Sequence, residues 1–301
     1  MKINIYTKLN GVGLEADANI IKGCLPQYDV MIIDWMRPVK RSADIAIHLE
    51  HVRKELLHLA PYNIAVPNPE WWEPTFTPLL KRIDAVWCKT KYTQEIFSTI
   101  HSNCIYTGFT SIDKYKEGVA KRIMFLHLAG KSSHKGTEAV VDVWKNDLSL
   151  PLLYLQKIEN IGKCHINKPN VICEFRRVPD IRDIMNTSLF HLCCSKAEGF
   201  GHYINEALSA GAVVITTDAA PMNELVTNEY GFIVPAFVCG KQRLSNEYCV
   251  ARNDFKATIR TAITTDANTL LAMSAKARQA FIKRDAEFKN KINQLINVHL
   301  H

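Results

Sequence analysis

No apolar run in the sequence approaches the roughly 20 residues needed to cross a bilayer as a helix. A transmembrane-helix protein is thereby excluded. The 9 cysteines include no C-x-x-C pair, and Cys173, Cys193 and Cys194 sit in apolar, strand-like stretches where a free thiol behaves as a small hydrophobe. Reduced thiols are expected rather than a zinc site. Low-complexity segments are missing, and nothing repeats beyond a strand–helix rhythm, so neither a disordered chain nor a solenoid is indicated. The opening "MKINIYTKLNG" alternates like a short strand and lacks the apolar centre of a signal peptide. An intracellular, cytoplasmic protein is expected.

What is present describes a foldable chain of ordinary composition. With 301 residues, 47% apolar and 22% charged, two domains can each bury a core without metal or disulfide staples. The formal charge is +7, and its placement is uneven. Residues 1–118 carry 14 basic against 13 acidic side chains, so the surplus lies beyond them. Much of it falls in the last 26 residues, where Lys276, Arg278, Lys283, Arg284, Lys289 and Lys291 face only Asp285 and Glu287. That pattern fits the solvated face of a terminal helix, while the surplus itself also suits phosphate or nucleic acid.

Short apolar strands alternate with helical stretches through the first third: "KINIYTK", a helix from about Asp17, "DVMIIDW", "DIAIHLE", a helix through "HVRKELLHLA", "YNIAVP", "DAVWCKT", a short helix and "CIYTGF". Such alternation predicts βαβ units and a mainly parallel sheet. The polar "TSIDKYKEGVAKR" then reads as a linker, and the rhythm restarts at "IMFLHLAG". Predicted strands at 123–129, 152–155, 171–175, 189–194 and 212–216, a final "GFIVP", and helices at 136–145, 180–186, 202–210 and 221–226 make a second doubly wound sheet. A helical tail follows from 254 to 300. The expected division is 1–118 for the first Rossmann-like domain, 119–275 for the second, and 276–301 for a terminal helix.

Ligands of open parallel sheets bind beyond the carboxyl ends of the strands, which directs attention to four stretches. In "KLNGVGLEADANI", Gly11 and Gly13 follow the first strand and open a helix, with Asp34 ending the next strand, the spacing of a dinucleotide fingerprint. A tight glycine turn beside any interdomain ligand reads equally well. In "LAGKSSHKGTEAVVDVW", Gly130, Lys131, Ser132, Ser133, His134 and Lys135 precede a helix and could cradle a polyphosphate. It is not a Walker loop, because the required earlier glycine is Phe125. Arg176 and Arg177 leave the strand of "VICEFRRVPD", where they could edge a nucleotide base or face solvent, with solvent favoured for at least one. In "SKAEGFGHYINEALSAG", Gly199, Phe200 and Gly201 bring backbone N–H groups to a helix start between Glu198 and Glu206. Two acceptor-only carboxylates at one crevice suit a polyhydroxyl ligand.

"GKSSHKG", followed about sixty residues later by "EGFGHYINEALSAGAVVITTDAAPMNELV" and "GFIVP", resembles the nucleotide-sugar half of retaining GT-B glycosyltransferases of the family 4 (glycosyl transferases group 1) type. The resemblance covers about residues 123–235 and is loose before that. It implies an α/β GT-B fold: two Rossmann-like domains face each other across a cleft, and the C-terminal helix crosses back to the first. By the same resemblance Lys135 holds the donor diphosphate, Lys131 stands where the family usually has arginine, and Glu198 lies near the transferred sugar beside Gly199, Phe200 and Gly201. Glu206 binds the donor ribose, and Gly11 and Gly13 form the loop that closes over the donor. Catalysis would rest on Glu198, Lys135 and Lys131, with Gly130, Ser132 and Arg177 also on the donor. The chain departs from the family in a loop one residue shorter between Gly130 and Lys135, and in a shortened first domain.

The activity so implied is retaining transfer of a hexose or pentose from a UDP- or GDP-linked donor, with no cofactor and no metal. The sequence has none of the D-x-D triplets that metal-dependent glycosyltransferases of the other main fold use. Acceptors consistent with the chain are a glycan, a lipid-linked acceptor reached by peripheral membrane contact, or a hydroxylated DNA base. Candidate acceptor residues are His48, Glu50, Asn68, Glu70 and Trp71, at the carboxyl ends of two neighbouring strands, with Glu70 or His48 able to take the acceptor's proton. Packing of these side chains inside a domain fits them as well. Two other readings stay open: an NAD(P)-dependent oxidoreductase built on Gly11, Gly13 and Asp34, and a non-catalytic nucleotide-sugar-binding protein on the same scaffold.

Overall fold

The structure, a computed structural model, describes residues 1–9, 11, 13–158, 166–179 and 181–298. Its first sheet contains β1 (Lys2–Thr7), β2 (Asp29–Asp34), β3 (Ile45–Leu49), β4 (Tyr62–Val66), β5 (Ala85–Cys88) and β6 (Cys104–Tyr106) in the order β2-β1-β3-β4-β5-β6. Every pairing is parallel, from Lys2 opposite Asp29 to Cys88 opposite Tyr106. β3 is buried at all five positions, as expected where both faces of a parallel sheet are covered. Helices α1 (Gly13–Gly23) and α2 (Lys91–Ser98) belong to this unit.

The second sheet comprises β7 (Arg122–Gly130), β8 (Leu153–Lys157), β9 (Val171–Glu174), β10 (Ser188–Cys193), β11 (Val213–Thr217) and β12 (Gly231–Val234), ordered β12-β11-β10-β7-β8-β9. With it go α3 (Thr137–Lys145), α4 (Ile181–Thr187), α5 (His202–Ser209), α6 (Met222–Leu225) and α7 (Arg252–Thr264). Strand order reverses at β1/β3 in one sheet and at β7/β10 in the other. Those reversals open the crevices in which such folds bind ligands.

Helix α8 (Ala267–Asn297) starts before 276 and runs on from the second unit to the first. Ser274 bonds the Gly211 carbonyl at its start, while Asn293 and Asn297 bond Gln27 and Tyr28 near its end. Phe281, Phe288, Ile292 and Ile296 on its buried stripe join one apolar cluster with Ile3, Ile5 and Ala18 of the first unit and Ile204 and Leu208 of the second. A single core therefore ties the two lobes together.

Three expectations need correction. The helix expected through 51–60 is only a 3-10 turn at Lys54–Leu56, because Val52 and Leu57 pack into one cluster and Leu56 and Ala60 into another. No single amphipathic face exists there. α1 begins at Gly13, ahead of Asp17. Nor are all thiols reduced: Cys239 and Cys249 form a disulfide across an antiparallel hairpin, β13 (Ala236–Gln242) and β14 (Ser245–Val250), whereas Cys24, Cys88, Cys104, Cys173, Cys193 and Cys194 are free. The predicted helix 180–186 is described only from Ile181, so Asp180 lies outside the described residues.

Candidate functional site

The carboxyl ends of β7 and β10 carry the two motifs into one place. After β7 the chain turns at Gly130 (φ 55°), and the carbonyl of Ser132 accepts a bond from the buried Lys157 ammonium at 3.3 Å. The loop ends at Gly136, whose φ of 67° and the Cys194 carbonyl oxygen only 2.0 Å from where a Cβ would stand admit glycine alone. The β7 loop thus lies directly on the β10 loop. Lys196 N–H donates to the His134 carbonyl at 2.8 Å and holds them together.

Lys135 and Glu198 meet across this contact, Nζ to Oε1 at 2.5 Å. Ser195 Oγ donates to the same carboxylate oxygen at 2.5 Å and accepts from the Tyr203 hydroxyl at 2.6 Å, while the Lys135 ammonium stands 3.8 Å from the Tyr203 ring centre. Charge, hydroxyl and ring fix one lysine rotamer. Behind Glu198, Gly199 packs against the first lobe so closely that a Cβ would come within 2.5 Å of Asn68 Oδ1 and 2.9 Å of Glu70 Oε1. Gly201 (φ 98°) then starts α5.

These residues border a cavity of about 660 Å³ between the two sheets, lined by Gly13, Gly130, Lys131, Ser132, Lys135, Arg177, Glu198, Gly199, Phe200 and Gly201, with Glu50, Asn68, Glu70, Trp71 and Lys89 opposite. A second hollow of about 510 Å³ shares Gly13, Arg177 and His202 with it and is closed by Gly11, Lys114 and Glu206. One continuous trough results. Every donor-side residue named from the sequence lies on it. Neither acid is without a cation: Lys114 Nζ is 3.5 Å from Glu206 Oε1, as Lys135 is beside Glu198.

The acceptor-side residues divide. Glu50, Asn68, Glu70 and Trp71 line the cavity. His48 does not: it is buried in the sheet, bonded through Nε2 to Asn63 at 3.0 Å and tilted on Tyr6, and burial pushes its imidazole down to about 4. It is a neutral core residue, not a base facing the cleft. Glu70 is fully buried, and loss of solvent, aided by the Glu198 charge, pushes its carboxyl up to about 8. Asp34 accepts from the Met36 N–H at 3.0 Å and lines neither hollow, so Gly11 and Gly13 reach the trough without the acid of the dinucleotide fingerprint.

A buried polar chain behind the acceptor wall went unread in the sequence. Glu50 accepts from Asn68 Nδ2 at 2.9 Å, Asn68 Oδ1 accepts from Lys89 at 2.9 Å, Lys89 pairs with Asp17 at 2.5 Å, and Asp17 meets His202 Nε2 of the other lobe at 2.6 Å. Ser111, in the linker, completes it on His202 Nδ1 at 2.9 Å. Burial alone would raise the Asp17 carboxyl, but the charges and hydrogen bonds of Lys89 and His202 hold it below its ordinary value. The available signal was position: Lys89 ends an apolar strand, where a lysine is costly unless paired. Among the described residues no group of three or more His, Cys, Asp or Glu is arranged to hold a metal ion, and no helix is long and apolar enough to cross a membrane.

Residues 156–241 match the protein family described as glycosyl transferases group 1. No curated protein sequence matches the chain. Among solved structures it is similar to the Anabaena protein Alr3699/HepE in complex with UDP and glucose, at 16% identity and a TM-score of 0.69 over 99% of both chains. It is similar to the sucrose-phosphate synthase of Thermosynechococcus elongatus at 11% identity and a TM-score of 0.72, over 99% of this chain and 98% of that one. The pneumococcal O-GlcNAc transferase GtfA, in complex with UDP and GlcNAc, matches at 15% identity and a TM-score of 0.66 over 85% of this chain. There the chain spans only 57% of the other's length. At such identities the likeness establishes the fold, which is GT-B with a group 1 glycosyltransferase region in its second lobe.

Proposed function

We propose that the protein is a retaining glycosyltransferase of the family 4 type that moves a sugar from a nucleoside diphosphate sugar, UDP-linked in the first instance, to a hydroxyl acceptor. The observation that carries this reading is the Lys135–Glu198 pair on the floor of a trough whose other end holds Glu206. The UDP complexes of the Anabaena and pneumococcal proteins favour uridine over guanosine.

In this reading the nucleoside lies in the hollow of Gly11, Gly13, Arg177 and Glu206, with Glu206 accepting from ribose hydroxyls. The diphosphate lies against Lys131 and Lys135 and the N-termini of α3 and α5, and the sugar reaches Glu198. As the anomeric C–O bond breaks, its electron pair goes to the diphosphate oxygen, where preorganised lysines stabilise the growing charge without a metal. The acceptor oxygen attacks from the same face, and its proton passes to Glu70, the carboxylate beside both Glu198 and the cavity. Glu198 positions and stabilises the sugar. The acceptor is a glycan, a lipid-linked compound or a hydroxylated DNA base that enters past Trp71.

Thermal denaturation of the chain against UDP, GDP, ADP and their sugars tests the reading. UDP and a UDP-sugar are expected to raise the midpoint, and Glu198→Gln is expected to keep that rise while losing transfer by about 100-fold or more. If no nucleotide stabilises the chain, the donor assignment is wrong; if Glu198→Gln transfers normally, the role of Glu198 is wrong.

A further inference from the structure

Just outside the acceptor wall, the carboxyl ends of β1, β2 and β3 gather an aromatic and cationic cluster. Thr7 pairs with Asp34, and Tyr6 with His48, so Lys8, Trp35 and His51 leave the sheet at one edge. The Arg53 guanidinium lies 3.9 Å over the Trp35 ring, and the His51 ring stands 5.2 Å from Trp35 and 5.1 Å from Phe76. Glu50, which lines the cavity, contacts His51 at 3.5 Å, so cluster and cavity share a wall.

The cluster's polar groups are short of partners. Among the described residues Arg53 makes no ion pair, and its Nε and the Trp35 Nε1 are shut from solvent without a hydrogen bond. The positive charge of Lys8 bears on both Glu50 and His51. The nearby acids are already engaged: Glu50 by Asn68 at 2.9 Å, Glu73 by Arg243 at 2.7 Å, and Asp34 by the Met36 N–H at 3.0 Å. An arginine stacked on indole has its plane fixed, and with no carboxylate of its own it presents a bidentate fork to one from outside.

We infer that Trp35, His51, Arg53 and Lys8 form an acceptor subsite for an anionic group, a phosphate or a carboxylate, carried by the acceptor beside its reacting hydroxyl. The inference rests on the glycosyltransferase reading for the word acceptor and on this cluster alone for the anion. The planar fork grips two oxygens, Lys8 adds long-range attraction, and the exposed Trp71 on the cavity offers a flat apolar wall to the ring that bears the hydroxyl.

The test is a titration of the full chain, saturated with UDP so that Lys131 and Lys135 are occupied, with inorganic phosphate, methyl phosphate and acetate, read by tryptophan fluorescence and thermal midpoint. Saturable binding of a phosphate or of acetate is expected. Arg53→Gln should weaken it at least tenfold, and Arg53→Lys, which keeps the charge and loses the fork, should fall between. Phosphate saturating while acetate stays silent identifies a phosphorylated acceptor, and the reverse identifies a carboxylate. Equal binding by wild type and Arg53→Gln, or no binding by any probe, overturns the subsite. Should UDP itself fail to bind, the donor reading falls separately, and Arg53-dependent phosphate binding is then read on Lys135→Ala, where the donor lysine no longer competes.

Discussion

Glu70 is buried in the cavity wall, and that burial pushes its carboxyl from an ordinary 4.5 up to about 8. In the unfolded chain it loses its proton near 4.5, so the folded state binds the extra proton between those limits. Stability therefore falls as pH rises from about 4.5 to 8, by at most about 1.4 kcal/mol per pH unit. In the proposed mechanism the ionised carboxylate takes the acceptor's proton, so activity should move the opposite way: kcat/KM rises toward pH 8. Glu70→Gln should flatten both profiles and lower kcat/KM by roughly 100-fold or more. A pH profile of the variant that keeps its rise toward 8 would remove Glu70 from proton transfer. Side chains at this scale were legible where a glycine pattern framed them, as with Lys135, Glu198 and Glu206. They were illegible where burial decided: His48 lies near the end of β3 and Glu70 just beyond β4, yet one is sealed in the sheet and the other lines the cavity.

The strands of both sheets followed from apolar periodicity with shifts of a few residues at their ends, because parallel strands buried on both faces leave little choice of composition, whereas the helix expected through 51–60 is only a 3-10 turn. The β13–β14 hairpin left no such trace. Its side chains are half exposed, its pairing hangs on the Arg243 turn (φ 57°), and its bridge joins cysteines ten residues apart. Yet it touches the site: Glu247 reaches His134 at 3.1 Å, Gln242 lines the cavity, and the N–H groups of Leu244 and Asn246 bond Pro69 and Tyr92 of the first lobe. Removing the cross-link by Cys239→Ser should cost up to about 3 kcal/mol by loop entropy. In the proposed function the acceptor enters at this rim, so KM for the acceptor should rise while UDP affinity stays near wild type. Equal loss of donor and acceptor affinity would make the hairpin a general stabiliser instead.

Across the whole molecule, two lobes with separate sheets share one core through α8 and are joined by polar contacts, among them the bridge of Asp17 and His202. The two-lobe plan was legible because the apolar rhythm stops at the linker and restarts. The bridge was not, since a contact between residues 185 apart leaves no local pattern. In the proposed function the shared trough takes the donor, and it draws Gly11 and Gly13 from one lobe and Lys135 and Glu206 from the other. Calorimetric titration of UDP into the wild type, Lys135→Ala and Glu206→Ala puts this to the most direct test. The account predicts one site per chain, with each substitution weakening binding about tenfold or more while the fold, followed by circular dichroism, is kept. UDP binding that is absent in the wild type, or unchanged in both variants, would contradict it.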